Sequence, residues 1–297
     1  MRVAAIDLGT NTTRLLVADV DGDRVQEVSL RSVITRLGEG IDGRGRLLPL
    51  PIARVRNVLV DYRRELESLE AERVLAAGTS AIRDADNGEA FLGEIEWGYG
   101  FTTRLLTGDD EARMTFRGAG ADDALVLDVG GGSTELVTAD DSQSVDLGSV
   151  RLTERFGEDV DAIAEHARAL LPRNLRPRRV VGVAATITTL AALDLGLEEY
   201  DRERIHGHVL SARAVDEQLR RLAALPLEER RRVPALEPER APVIVAGATI
   251  VREAMRALPV DTLTVSECDL LHGLALAAAD LPEPTDGAAP PGAYTCC

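Results

Sequence analysis

Two hydrophobic periods run through this chain, one of two residues and one of about 3.6, and the switches between them mark the elements. The opening segments RVAAIDLG, TTRLLVADV and DRVQEVSLRSVI read as three successive antiparallel strands, with DVDGD a hairpin turn between the second and third. From Pro51 the period lengthens. Ile52, Val55, Leu59, Tyr62, Leu66 and Leu69 recur at three- and four-residue spacing among arginines and glutamates, the stripe of an amphipathic helix. RVLAAGTSAIRDADN then predicts a short strand running into a polar loop, NGEAFLGEIEWGYG a helix, and FTTRLLTG a strand. DDEARMTFRGA predicts a helix whose Asp109 and Asp110 suit its positive amino end.

At GAGADDA the pattern restarts. ALVLDVGGG, STELVTAD and SQSVDLG repeat the opening order of strand, glycine turn and antiparallel strands, followed by helical DAIAEHARALL, strand RRVVGVAAT and helix TITTLAAL. Helices around 211–224 and 241–258, a strand DTLTVS and a helix CDLLHGLALAAA complete it. IDLGTNTTRLLVADV lies over LDVGGGSTELVTADD with Asp7 on Asp128, Gly9 on Gly130 and Thr12 on Ser133. A duplicated α/β unit of this kind places its two glycine turns on facing surfaces of a cleft. After Leu281 the composition turns to Pro, Gly and Ala and reads as a disordered tail.

The glycines carry candidate chemistry. After Asp7, Gly9 lets successive backbone N–H groups point at one anion, and Asn11 and Thr12 add side-chain donors; a plain hairpin turn is the competing reading. In LDVGGGSTE the case is more specific. Gly130, Gly131 and Gly132 would wrap phosphate oxygens with N–H groups, and Ser133 would add a hydroxyl. Asp128 and Glu135, folded towards each other by the turn, can both reach a hard cation such as Mg²⁺, which takes oxygen ligands and shares them with phosphates.

Composition narrows the partners. The formal charge is −16 and there is no lysine, so arginine supplies every basic side chain other than histidine. Broad nucleic-acid or anionic-membrane binding is disfavoured, because that affinity comes from basic residues on phosphates. No apolar run reaches the roughly 18 residues of a membrane span and the amino terminus lacks a signal-peptide pattern, so a cytoplasmic protein is expected. Cys268, Cys296 and Cys297 make no disulfide framework. His206 and His208 have the spacing of a metal pair but no third ligand, which favours a structural role.

IDLGTN, TSAIRDADN, GDDEAR and DVGGGSTEL stand in the order and approximate spacing of the exopolyphosphatase and guanosine pentaphosphate phosphohydrolase family, within the actin-like ATPase superfamily, and the resemblance runs from residue 1 to about 280. It implies an α/β fold of two actin-like (ribonuclease H-like) domains with an interdomain cleft. These span 1–119 and 120–281, with the last helix able to pack on the first domain and 282–297 left as the tail. By the same resemblance Glu111 is the general base that activates water, and Arg83 contacts terminal phosphate oxygens. Without it, Glu111 would pass for a first-turn helix acid and Arg83 for a surface ion pair with Asp84 or Asp86. Arg14 and Arg151 are weaker candidates for the same lining.

The implied activity is Mg²⁺-dependent, or other divalent-cation-dependent, hydrolysis of the terminal phosphoanhydride of inorganic polyphosphate. Removal of the 5′ γ-phosphate of guanosine pentaphosphate is a close variant. An ATP-dependent kinase or ATPase of the superfamily, with VAAT as its adenosine-pocket candidate, and a non-catalytic polyphosphate or alarmone sensor are the remaining alternatives. The resemblance also implies a homodimer. Two departures stand out: Ala184 and Ala185 replace paired glycines before Thr186, where alanine tolerates positive φ poorly, and Leu271 and His272 replace an arginine and a glutamate.

Overall fold

The alternating opening of the chain forms β1 (Arg2–Leu8), β2 (Thr12–Asp21) and β3 (Arg24–Ile34) in a computed structural model, which describes residues 1–282. The expected tail beyond Pro282, with Cys296 and Cys297, lies outside the described residues. There follow α1 (Ile41–Arg44), α2 (Pro49–Ser68), β4 (Arg73–Gly78), α3 (Ser80–Arg83), α4 (Gly88–Tyr99), β5 (Thr102–Leu105) and α5 (Gly108–Ala119). The strands order as β3-β2-β1-β4-β5, with β1, β2 and β3 antiparallel and β4 and β5 parallel to β1. β1 is central and almost wholly apolar, as a strand covered on both faces must be. Its period of two sorts the coverage: Ala4, Ile6 and Leu8 meet Val55, Leu59, Tyr62 and Leu66 of α2, while Val3 and Ala5 face the other way.

The second sheet comes from β6 (Leu125–Val129), β7 (Thr134–Val137) and β8 (Ser142–Val145), then α6 (Ser149–Phe156), α7 (Val160–Leu170), β9 (Val180–Val183) and α8 (Ala184–Asp194). After these come α9 (Arg202–Ile205), β10 (Val209–Ser211), α10 (Ala212–Ala224), α11 (Leu227–Arg230), α12 (Ile244–Ala257), β11 (Thr262–Val265) and α13 (Leu270–Ala279). Its order, β10-β11-β9-β6-β7-β8, read backwards from β8, repeats the first sheet and adds β10 at the edge. Three antiparallel strands followed by parallel ones, twice, is the actin-like α/β arrangement. One compact unit comprises Ala119–Asp269; the other comprises Met1–Gly118 and the described residues from Leu270. In the latter, Leu270, Leu271, Leu274 and Ala275 of α13 cover Val3, Ala5, Leu16 and Ala18.

Three local expectations are corrected. TSAIR is a helical turn, α3, and not a polar loop; α6 was not foreseen; and the strand expected to run to Thr186 ends at Val183, where α8 begins. In the second unit, Arg230 is fully buried and bonds the carbonyls of Leu222, Leu225 and Ala241 and both carboxylate oxygens of Glu158. The Arg230 hydrogen bonds hold the Glu158 carboxyl below its usual range. Among the described residues, no helix is long and apolar enough to cross a membrane.

Candidate active site

Asp7 stands next to last in β1, directly opposite Arg14 on β2, and its Oδ2 accepts from Arg14 Nε at 3.0 Å and Nη2 at 2.9 Å. The turn beyond it is closed by Gly9 N donating to Thr12 O at 3.1 Å, and a Cβ on Gly9 would stand 2.9 Å from that oxygen. Glycine is required there by close approach. The carbonyls of Thr10 and Asn11 accept from Gly38 N, Thr35 N and Arg36 N, which turns the peptide N–H groups of the loop the other way. Among the described residues those of Thr10 and Asn11 have no backbone acceptor, and the buried Asn11 Nδ2 has no hydrogen-bond partner. Unsatisfied buried donors are costly, and an anion would satisfy these. Below the loop, Tyr62 OH donates to Thr13 O at 2.8 Å; burial, then the charge of Glu65, pushes its pKa up, so it stays a donor.

The β6–β7 hairpin repeats this turn. Gly130 N donates to Ser133 O at 3.0 Å, and the N–H groups of Gly131, Gly132 and Ser133 likewise find no backbone acceptor among the described residues. The carbonyls of Gly130, Gly131 and Gly132 are held from behind by the start of α6. Ser149 N bonds Gly130 O, Val150 N and Arg151 N bond Gly131 O, and Arg151 Nε bonds Gly132 O at 2.7 Å. Gly148 sits so close that any Cβ would overlap the Gly131 carbonyl. Gly38 has the same place over Thr10 in the first hairpin, where a Cβ would overlap the Thr10 methyl. Sequence reading missed both covering glycines and α6; TRLGEG and DLGSVR, each following a third strand, were the available signal.

Asp128 and Glu135 are direct cross-strand neighbours, so both carboxylates leave the same face of the sheet. They are 8% and 1% exposed, and Ser144 Oγ donates to Glu135 Oε1 at 2.7 Å. Two hard oxygen donors from protein fit a Mg²⁺-like ion that completes its shell with water and phosphate oxygens. Among the described residues no group of three or more metal-ligating side chains gathers. His208 Nε2 meets Asp194 at 2.8 Å and His206 Nδ1 accepts from Glu267 N at 3.2 Å, so these histidines tie down their own loop. At the third loop Ala184 adopts φ +67°, and Gly247 of α12 approaches Thr186 so closely that a Cβ would be 2.7 Å from its methyl. Leu271 is core, and His272 meets Glu27 at 3.0 Å.

Arg83 and Glu111 come together in the first unit. Arg83 ends α3, and Gly88 permits the tight α3–α4 turn, since a Cβ there would overlap the Ile82 carbonyl. Thr107 and Asp110 form a reciprocal capping box that starts α5. Of the three acids on that first turn, Asp109 and Asp110 are exposed and Glu111 is 9% exposed. Arg83 Nη1 donates to Glu111 Oε2 at 3.2 Å and to Leu106 O at 2.9 Å, which leaves its Nε and Nη2 without protein acceptors among the described residues. Gly273 of α13 fixes α5 from the other side, because a Cβ there would overlap the Met114 carbonyl. The Arg83–Asp84 or Arg83–Asp86 pair considered from sequence does not form.

Known proteins share this plan. The sequence profile of the Ppx/GppA phosphatase family matches residues 16–281. Exopolyphosphatase 2 of Mycobacterium tuberculosis (strain ATCC 25618 / H37Rv) is 39% identical over 314 residues, covering 94% of this chain and 98% of that one. The crystal structure of the Aquifex aeolicus Ppx/GppA family member matches with a TM-score of 0.79 at 31% identity, over 94% of this chain and 97% of that one. The structure of an exopolyphosphatase-like protein matches with a TM-score of 0.85 at 29% identity, over 93% and 98%.

Proposed function

Because the chain belongs to the Ppx/GppA phosphatase family, we propose that it hydrolyses the terminal phosphoanhydride of inorganic polyphosphate and releases orthophosphate. The observation that carries this reading is the contact of Arg83 with Glu111, an anion-binding fork beside a buried proton acceptor. The name of the 39%-identical relative supports polyphosphate as substrate.

Glu111 Oε2 takes a proton from water as its oxygen attacks the terminal phosphorus. The phosphorus–oxygen bond to the bridging oxygen breaks, and its electron pair stays with the shortened chain. Arg83, sharing itself between Glu111 and the phosphate, meets the charge that spreads over the equatorial oxygens. The N–H groups of Gly131, Gly132 and Ser133, with those of Thr10 and Asn11 and the Asn11 amide, are the proposed phosphate donors. Asp128 and Glu135 would hold a divalent cation, magnesium for preference, which when bound draws charge from phosphate oxygens. A cytoplasmic homodimer completes the reading, and sedimentation in solution tests the dimer.

The test is orthophosphate release from polyphosphate of defined length, and from guanosine pentaphosphate, with Mg²⁺. Polyphosphate is expected to be turned over, and Glu111→Gln to lower kcat by about 10²–10⁴ with little change in KM. Release from guanosine pentaphosphate alone would reassign the substrate within the same chemistry. No release from either, or a Glu111→Gln enzyme as fast as the parent, would remove the hydrolase reading.

A further inference from the structure

A second basic site lies in the Ala119–Asp269 unit, away from the glycine loop. Between His166 and Leu193 the chain has no Asp or Glu and five arginines, although carboxylates outnumber basic residues 50 to 34 overall. Three of the five, Arg168, Arg173 and Arg176, join Arg256 of α12 in lining a cavity of about 430 Å³. One carboxylate, Glu253, sits within this group at 1% exposed. It accepts from Arg252 Nε at 2.8 Å and Arg256 Nη1 at 2.9 Å, with Arg168 Nη1 at 3.6 Å. It neutralises one charge and meets three guanidinium groups, and Asp216 lies 3.5 Å from Arg256 Nη2, so Arg173 and Arg176 carry the uncompensated charge.

Arg173 and Arg176 have no carboxylate partner among the described residues. Arg173 Nη2 bonds Arg168 O, and Arg176 Nη1 bonds the carbonyls of Arg173 and Leu175. Such bonds suit helix and loop ends, but they occupy one nitrogen of each guanidinium and leave the rest of its donor edge unused. Uncompensated arginines packed together repel one another, and a multiply charged anion relieves that repulsion.

The position separates this cavity from the phosphate loops. β6 and β9 run parallel, with Asp128 and Ala184 at their carboxyl ends, whereas Arg176 precedes β9 and Pro259 precedes β11, at the amino ends. A strand of four or five residues spans about 13–17 Å, so one terminal phosphate cannot touch both places. A lone orthophosphate would occupy a small part of 430 Å³, and Leu171, Ala257 and Pro259 add an apolar wall.

We infer that this cavity is an accessory binding site for a phosphoanhydride polyanion, with at least two phosphates on Arg168, Arg173, Arg176 and Arg256. The same chemistry is offered by an inorganic polyphosphate chain and by a nucleoside polyphosphate. The inference does not depend on turnover.

Isothermal titration of the whole protein in EDTA, with tripolyphosphate, with pyrophosphate and with ADP, tests it. The parent is expected to bind, and Arg173→Glu/Arg176→Glu to weaken one binding event at least about tenfold. Arg173→Gln/Arg176→Gln should weaken it less while melting with the parent, which keeps the test valid if charge reversal harms folding. Tighter binding of ADP than of pyrophosphate identifies the nucleotide source, and equal binding the inorganic chain. No binding by the parent, or unchanged affinity and stoichiometry in both variants, overturns the inference. Since binding is read without metal or turnover, its failure is distinct from failure of the hydrolase reading.

Discussion

In the β1–β2 hairpin an aspartate faces an arginine across the ladder, whereas in β6–β7 an aspartate faces a glutamate. Everything around that difference is shared: the four-residue turn with its Gly N to carbonyl bond, the Asp two positions before the first glycine, and a covering glycine behind the second loop residue. One scaffold thus serves two electrostatic purposes. Asp7 is paired with Arg14 within the protein, and its loop presents the N–H groups of Thr10 and Asn11. Like charges opposed across a ladder destabilise it, and the cation proposed for Asp128 and Glu135 would relieve that pair.

The largest expected effect strikes the cover. Gly148→Ala drives a methyl into the Gly131 carbonyl, and a backbone atom cannot step aside; destabilisation of about 3 kcal/mol is expected by denaturant unfolding. In Gly38→Ala the severe overlap is with the Thr10 methyl, with Ala81 Cβ at 3.2 Å and Thr10 O at 3.3 Å, so the loss should be smaller, and Thr10→Ser should recover part of it. Equal losses for Gly148→Ala and Gly38→Ala would break the parallel.

Glu135→Gln comes next. It should melt no lower than the parent in EDTA, since it removes a repulsion. Its stabilisation by Mg²⁺, about 2.7 kcal/mol for a parent at a hundred times its Kd, should nearly vanish. Retention of the Mg²⁺ shift would take the cation away from this hairpin. Arg14→Gln tests the opposite case: it leaves the Asp7 charge without its cross-strand guanidinium, should cost about 2 kcal/mol in either buffer, and should leave the Mg²⁺ shift intact. The smallest effect is expected at the third loop. Ala184→Gly relaxes a left-handed alanine and should raise stability by about 0.5–1 kcal/mol, seen as a modest rise in Tm.

Much of this comparison was legible because it is local. Seven residues of β1 and the stripe of α2 declare themselves by period, and the second hairpin repeats the first in its spacing of Asp and Gly. What was not legible depends on contacts between distant positions. Gly148 and Gly38 look like ordinary loop glycines until the backbone they cover is in place. Arg83 and Glu111 are 28 residues apart, and only the pairing of β4 with β5, which α3 and α5 follow, makes them a pair. Between Val180 and Leu193 apolar residues and threonines run without a break apart from Gly182, so the composition conceals where β9 stops and α8 begins. Arg230 sits in LEERRRV, a run that reads as solvated, yet it alone of those residues is wholly buried, because three carbonyls and Glu158 converge on it.

The packing of α13 on the first sheet also sets an order of events during translation. Its partners, Val3, Ala5, Leu16 and Ala18, are synthesised well before it, and about 150 residues of the other unit intervene before α13 emerges. At about 5–20 residues per second the ribosome takes about 8–30 s over that insertion. For that interval the nascent sheet lacks the helix that presses Gly273 against Met114, so the helix bearing Glu111 gains this support only once α13 has emerged.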